Sequence, residues 1–464
     1  MRKILSLLVT LGLVACSAIT SETTVSQMVK YAITNISVVD VEKGIIVPDQ
    51  TVIVSGGRIE QVGGASQIEV PRDATVIDGQ GLYLIPGLVD AHVHYFDAPV
   101  FGRLMIANGV LLVRDMGMPN DFILPLRDEL NQGMILGPEM VATGFILDGS
   151  PPLIPQIALG IKTPEAAQMA VRQQAGAGVD MIKVYSTLDR DVFLAIVEEA
   201  HKQGLKVVGH VPDSIYIEEA AAAGLDSMEH WFSFEKMIAR LLGEPVNLTY
   251  SGMGSQAYYL ERLDEVDVAA LQDVYQRLNV SGLTIVPTVV TFKDFPGPNA
   301  LETGNLPNSE YITPNLLAIW KSQWAGQNDV PDFIWQNWAQ MVKGLNQAGV
   351  PLMVGTDLMV PGIIPGFAVH EEMQIWQEAG IPPADILRSA TIVPAQFMGL
   401  GDRLGSISEG KTASMVLVRA NPLEEISNAR QIVSVFLRGQ YFSREDLDRL
   451  LEEAKVLAQE PTFP

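Results

Sequence analysis

The sequence predicts an α/β fold: a (β/α)8 TIM-like barrel with a small β-sandwich domain built from the N- and C-terminal segments. Three observations carry that expectation. Helix-like stretches stop at Gly178, Gly204, Gly224 and Gly349, and each is followed by a short apolar run of strand length. Glycine just past the last helical turn is a common helix stop, so the rhythm reads as βα units around a parallel sheet. Alternating, strand-like segments lie outside that rhythm, at 31–86 and again at 405–442. The chain of 464 residues is long enough for one large core, since such barrels routinely exceed about 200 residues as a single domain.

At the N-terminus, Arg2 and Lys3 precede an uncharged apolar run from Ile4 to Ala15. This is the layout of a secretory signal over 1–15, shorter than the about 20 residues that span a bilayer. Leu13-Val14-Ala15-Cys16 resembles a bacterial lipobox, and Cys16 is the only cysteine, which excludes a disulfide within the chain. The expectation is a lipidated Cys16 that anchors the chain in the bacterial cell envelope, with 16–30 as a polar tether. Ser17 in place of aspartate favours the outer membrane, facing the periplasm, if the cell has one. An uncleaved or plainly secreted form is the alternative.

Residues 31–86 contain strand-like runs such as Ala32–Val39 and Thr51–Val54, the latter ahead of Ser55-Gly56-Gly57. The barrel spans 87–404. Its first strand ends in His92 and His94, two imidazoles two residues apart and therefore on one face of a strand. Arg114 closes the second strand and Lys183 the fourth; His210 and His230 follow the fifth and sixth, and Asp357 the eighth. The C-terminal strand ends of a parallel barrel collect at one mouth, so His92, His94, Lys183, His210, His230 and Asp357 should meet there. Two histidines alone leave a tetrahedral metal two ligands short; the other residues supply the deficit. Lys183, flanked by Ile182 and Val184, has an ammonium disfavoured by burial unless its head reaches solvent at the strand end.

Insertions near 232–282 and 292–348 flank the seventh strand, Leu283 to Thr288, and the second carries Trp320, Trp324, Trp335 and Trp338. Such insertions serve as lids or partner surfaces, and the tryptophans as pocket lining, a dimer contact or, more plainly, helix packing. The strand-rich 405–442 segment includes Ser414–Val418 and Ile432–Leu437; 443–464 holds a helix from Arg444 to Ala458 and a tail.

Candidate substrate contacts are Tyr185, which shares the face of Lys183 one step nearer the mouth, and Arg114, which could clamp a carboxylate or pair with an acid. His370 follows the eighth strand and either touches substrate or opens a helix. Asp90 lies one layer beneath His92 and His94, suited to a hydrogen bond that orients them. His201 reads as a helix C-terminal residue. A net charge of −23 disfavours nucleic acid. The expected partners are a small-molecule or short-peptide substrate and a membrane reached through the lipid anchor; the choice between monomer and homo-oligomer stays open.

On these residues the chain resembles the metal-dependent amidohydrolase superfamily, in particular its binuclear, carbamylated-lysine group of imidazolonepropionase and the prolidase-like dipeptidases. The resemblance runs from about Tyr31 to Leu450. It implies two divalent metal ions, zinc by default: one on His92, His94 and Asp357, a second on His210 and His230, with Lys183 as a carbamate bridging both. It further implies a metal-bridging hydroxide as nucleophile and Asp357 as general base, acting on the C–N bond of a dipeptide or N-acyl amino acid. A cyclic amide, lactone or phosphoester is the alternative substrate, and a catalytically silent binding scaffold the alternative class; the presence of all six ligands argues against the latter. Trp231, after the sixth-strand histidine, and Ser414, where an acid is usual, depart from the pattern.

Overall fold

The computed structural model describes residues 29–246, 252–293, 295, 300, 305–324 and 330–460. The expected signal over 1–15, the lipidation site Cys16 and nearly all of the tether lie outside these residues.

Both ends of the chain build one sheet. The N-terminal strands are β1 (Lys30–Asp40), β2 (Ile45–Ser55), β3 (Arg58–Gly64), β4 (Thr75–Asp78) and β5 (Tyr83–Pro86). Strand β5 is parallel to β1 and antiparallel to a C-terminal strand at Met415–Val418, with Tyr83 opposite Val418 and Pro86 opposite Met415. Leu84, Met415 and Leu417 belong to a small core on one face, while Ile85, Val416 and Val418 join the main core on the other. That alternation is the period-2 pattern of a sheet covered on both faces. The two terminal segments therefore do associate, as one eight-stranded mixed sheet.

The middle of the chain is TIM-barrel-like. Strands β6 (Leu88–Val93), β7 (Val110–Asp115) and β8 (Glu139–Ala142) form one parallel sheet. A second contains β9 (Ile146–Gly149), β10 (Ala158–Ile161), β11 (Met181–Val184), β12 (Lys206–Gly209), β13 (Ser227–Glu229) and β14 (Thr284–Val286), ordered β10-β9-β11-β12-β13-β14. The segment expected as the eighth strand makes only isolated bridges, Leu352 to Ile285 and Leu358 to Val93. It is stitched in place by Met353 N–H to the Ile285 carbonyl and Ala91 N–H to the Val354 carbonyl. Strands β15 (Met415–Val418), β16 (Ile432–Leu437) and β17 (Gln440–Phe442) complete the terminal sheet.

The helix stops fall where the glycines predict: Gly178, Gly204, Gly224 and Gly349 all adopt positive φ. Gly209 has a further reason. At φ +132 a Cβ there would lie 2.1 Å from the Val184 carbonyl oxygen, so only glycine lets β12 approach β11 immediately before His210.

In the insertions, Trp320 and Trp338 are fully buried and pack helices Pro314–Trp324 and Asp332–Gln347 into the core. Trp338 donates to the Pro287 carbonyl and Trp320 to that of Met359, each at 2.8 Å. The Lys293 ammonium sits over Trp335. These three tryptophans serve packing; the Trp324 side chain is outside the described set. The C-terminal helix Arg444–Gln459 starts on a capping box of Ser443 and Asp446. Among the described residues, no helix is long and apolar enough to cross a membrane.

Candidate active site

Four imidazoles converge, and each has one ring nitrogen already engaged. The Nδ1–H of His94 donates to the Gly117 carbonyl at 2.9 Å. Nδ1 of His92 lies 2.8 Å from a Glu229 oxygen, Nδ1 of His210 lies 2.8 Å from the Ser186 hydroxyl, and Nδ1 of His230 lies 2.7 Å from that of Thr288. Engaging Nδ1 orients each ring and leaves Nε2 as the outward donor atom. The Nε2 atoms of His92, His94 and His230 stand 3.3, 3.6 and 3.7 Å from the Asp357 carboxylate. Donor atoms of His92, His94 and Asp357 lie within 4.8 Å of one another, a span one cation can fill.

Burial sets the protonation states. It holds His94 down to about 4 and the other three imidazoles well below their usual range, which keeps the neutral, ligating form. It draws Lys183 down to about 8, although the carboxylates of Glu229 and Asp357 pull the other way. It pushes Asp357 up to about 7, opposed by Lys183. Neutral imidazole nitrogens, a carboxylate and a buried amine are a donor set that fits zinc or a neighbouring divalent metal.

Backbone strain concentrates at this mouth. His230, Thr288 and Asp357 take φ of 62°, 47° and 54°, and Met359 takes 151°, conformations that cost about 1–3 kcal/mol each in non-glycine residues and persist only where surroundings enforce them. Asp357 is enforced by its N–H to the His92 carbonyl and His230 by its N–H to Val286. Asp90 ties the last segment to β6 by accepting from the Thr356 amide and hydroxyl and from the His92 amide.

Three orienting residues were not legible in the sequence: Glu229, Ser186 and Thr288. Strand parity puts Glu229 on the face opposite His230, but the positive φ at His230 breaks the alternation. Both residues reach the interior.

The cavity over the site has a volume of about 460 Å³. All six sequence-predicted ligands border it, as does Tyr185, whose ring stacks on His210 at 4.0 Å. Arg114 and His370 do not. Arg114 is fully buried beneath the site, donating to the Ala91 carbonyl, Ser227 and Glu229, so it pairs with an acid and is out of substrate's reach. His370 is buried on the inner face of helix Phe367–Glu378, its Nε2 2.9 Å from the Asn108 carbonyl, facing helix Ala98–Ala107 and not the mouth. Trp231 packs in the core, edge-on to Phe292, and His201 pairs with Asp226 at its helix end.

A model of the amidohydrolase family matches residues 83–441. An uncharacterized protein of Mycobacterium tuberculosis is 24% identical over 428 residues, covering 86% of this chain and 95% of that one. A dihydroorotase of Geotalea daltonii is 26% identical over 183 residues, 39% of this chain and 41% of the enzyme. Among solved structures, a bottromycin amidohydrolase superimposes with a TM-score of 0.74 at 23% identity, over 92% of this chain and 90% of its own. A Xaa-Pro dipeptidase with methionine in its active site gives 0.64 at 20% identity, over 89% and 100%. Likeness at these identities is a likeness of fold.

Proposed function

This chain belongs to the amidohydrolase family, within the metal-dependent amidohydrolase superfamily, and we propose that it hydrolyses the C–N bond of a small amide with a dipeptide or N-acyl amino acid skeleton. The observation that carries the reading is the convergence of four Nδ1-anchored imidazoles, Asp357 and the buried Lys183 amine on one cavity. His92, His94 and Asp357 would hold one divalent cation and His210 and His230 a second. Lys183, its neutral amine carboxylated by carbon dioxide with loss of a proton, would serve both. Divalent metal bound there would supply Lewis-acid activation of water and of the scissile carbonyl. Asp357 would accept the proton of the attacking water and return it to the leaving nitrogen, a role that its place between the Nε2 atoms of His92, His94 and His230 supports. Tyr185 walls the side next to His210. A cavity of about 460 Å³ suits a small organic ligand, and a Xaa-Pro dipeptidase shares the fold.

The test is hydrolysis of peptide and acyl amides by the zinc-loaded, bicarbonate-treated protein, with metal analysis on the same sample. Two metals per chain and turnover that falls by about 10²–10⁴ in Asp357→Asn are the expected results. Unchanged turnover in that variant would remove Asp357 as the base. Two metals without amide turnover would move the chemistry to cyclic amides, lactones or phosphoesters, and no metal at all would return the chain to the binding scaffolds.

A further inference from the structure

We propose that this cavity selects an uncharged, apolar substrate, one with no free carboxylate beside the scissile amide, such as a capped peptide or an acyl amide. The inference rests on the hydrolytic reading above and, within it, takes the carboxyl-capped derivatives in place of the free dipeptides and N-acyl amino acids. Above the metal-ligating residues, one wall is Ile146, Leu153, Ile154 and Pro155, and Met359 and Val360 line the cavity as well. The polar side chain on the 153–156 stretch is the neutral amide of Gln156. Recognition of a carboxylate calls for a cation, ideally the paired donors of a guanidinium. Both cationic side chains near the site are already committed. Arg114 spends its donors on the Ala91 carbonyl, Ser227 and Glu229, and Lys183 belongs to the metal-holding set between Glu229 and Asp357. Among the described residues, no other lysine or arginine lines the cavity.

A carboxylate laid against this wall, away from the metal-holding residues, would trade part of its hydration for apolar surface with no cationic side chain to meet it. The −23 net charge of the chain adds to the repulsion of anions. An apolar ligand face meets matching surface instead, and that surface is held in place. Asp148, fully buried, accepts from the Leu153 amide at 2.9 Å and from the Thr187 amide and hydroxyl at 2.9 and 2.8 Å, which clips the 153–156 stretch to the loop after Tyr185. The Met359 carbonyl is held by Trp320. Both the clipped stretch and Met359 are thus set before substrate arrives, and Gln156 is left to bond a substrate carbonyl or amide N–H.

Matched pairs test this: N-acetyl-leucyl-leucine against its C-terminal amide, and N-acetyl-leucine against its methylamide. Turnover is measured with zinc-loaded wild type, and where neither member of a pair is cleaved, binding is read by calorimetry to the same zinc-loaded wild type, which keeps every proposed ligand. The expected result is at least about tenfold preference for the neutral member, carried by KM and by the binding constant. Gln156→Arg should narrow or reverse it. Equal or better use of the free acids overturns the inference, as does an unchanged preference in Gln156→Arg. Neutral preference in binding without turnover of either pair supports the inference and counts against the hydrolytic reading alone.

Discussion

Glu229 places one carboxylate oxygen 2.8 Å from Nδ1 of His92 and gives the other to the Arg114 guanidinium, also at 2.8 Å, with all three side chains buried. The same oxygen that meets Arg114 accepts from the Ser227 hydroxyl. The carboxylate fixes which His92 nitrogen carries the proton, and Arg114 offsets its buried charge.

Glu229→Gln should therefore weaken metal binding at the His92 site by about 10–100-fold, the usual effect of losing the partner behind a ligating histidine. Equilibrium dialysis against zinc, with metal analysis, reads it. Unchanged affinity would mean that the carboxylate only fills space.

Arg114→Met takes away the guanidinium that bonds this carboxylate directly and leaves Lys183 as its cationic neighbour. Breaking a buried pair from one side costs about 3–5 kcal/mol, so urea unfolding of the metal-free protein should show a loss of this size. The double variant with Glu229→Gln should recover most of it. Equal losses in the single and double variants would show that packing of the long side chain is what matters.

Glu235 gives a pH-dependent stability with a defined sign. It is buried, accepts from the Ser233 amide, and has its other oxygen without a partner. Burial pushes it from its ordinary 4.5 to about 7, with Lys236 opposing. Between those values the folded chain keeps a proton that the unfolded chain has lost. The stability this group contributes is therefore present at low pH and is lost as pH rises through about 7. Glu235→Gln should match the parent near pH 5 and exceed it by on the order of 2–3 kcal/mol at pH 8, read from urea midpoints at both values. A constant difference at both would remove this titration.

We propose that Cys16 carries the lipid anchor. Acyl chains contribute about 0.8 kcal/mol per buried CH₂, so Cys16→Ser should move the protein from the detergent phase to the aqueous phase on Triton X-114 partition of envelope fractions. An unchanged distribution would place the anchor elsewhere.

Much of the site was legible because each metal-ligating candidate ends an apolar run, and glycine stops marked the helices before four of those runs. What was hidden follows from two physical causes. Local backbone strain at His230 overrides strand parity, so His230 and the preceding Glu229 both reach the interior. Long-range packing decides the fate of Arg114 and His370: their positions in sequence put both near the mouth, but Arg114 turned down to Glu229 and His370 across to the Asn108 carbonyl. The tryptophans of the insertions followed the plainer expectation of helix packing, while the Leu153–Gln156 wall carried no motif at all.

The pairing of Tyr83 with Val418 has a consequence for how the molecule is made. While the chain is being synthesised, β5 has no partner on its outer edge until Met415 has emerged, long after every candidate metal ligand. An open edge of that kind is a template for pairing with the wrong chain. The terminal sheet can close only after β15 to β17 are available, and such distant contacts slow folding. A chain cut short before Met415 would keep all six donors and lose the seam that closes the molecule.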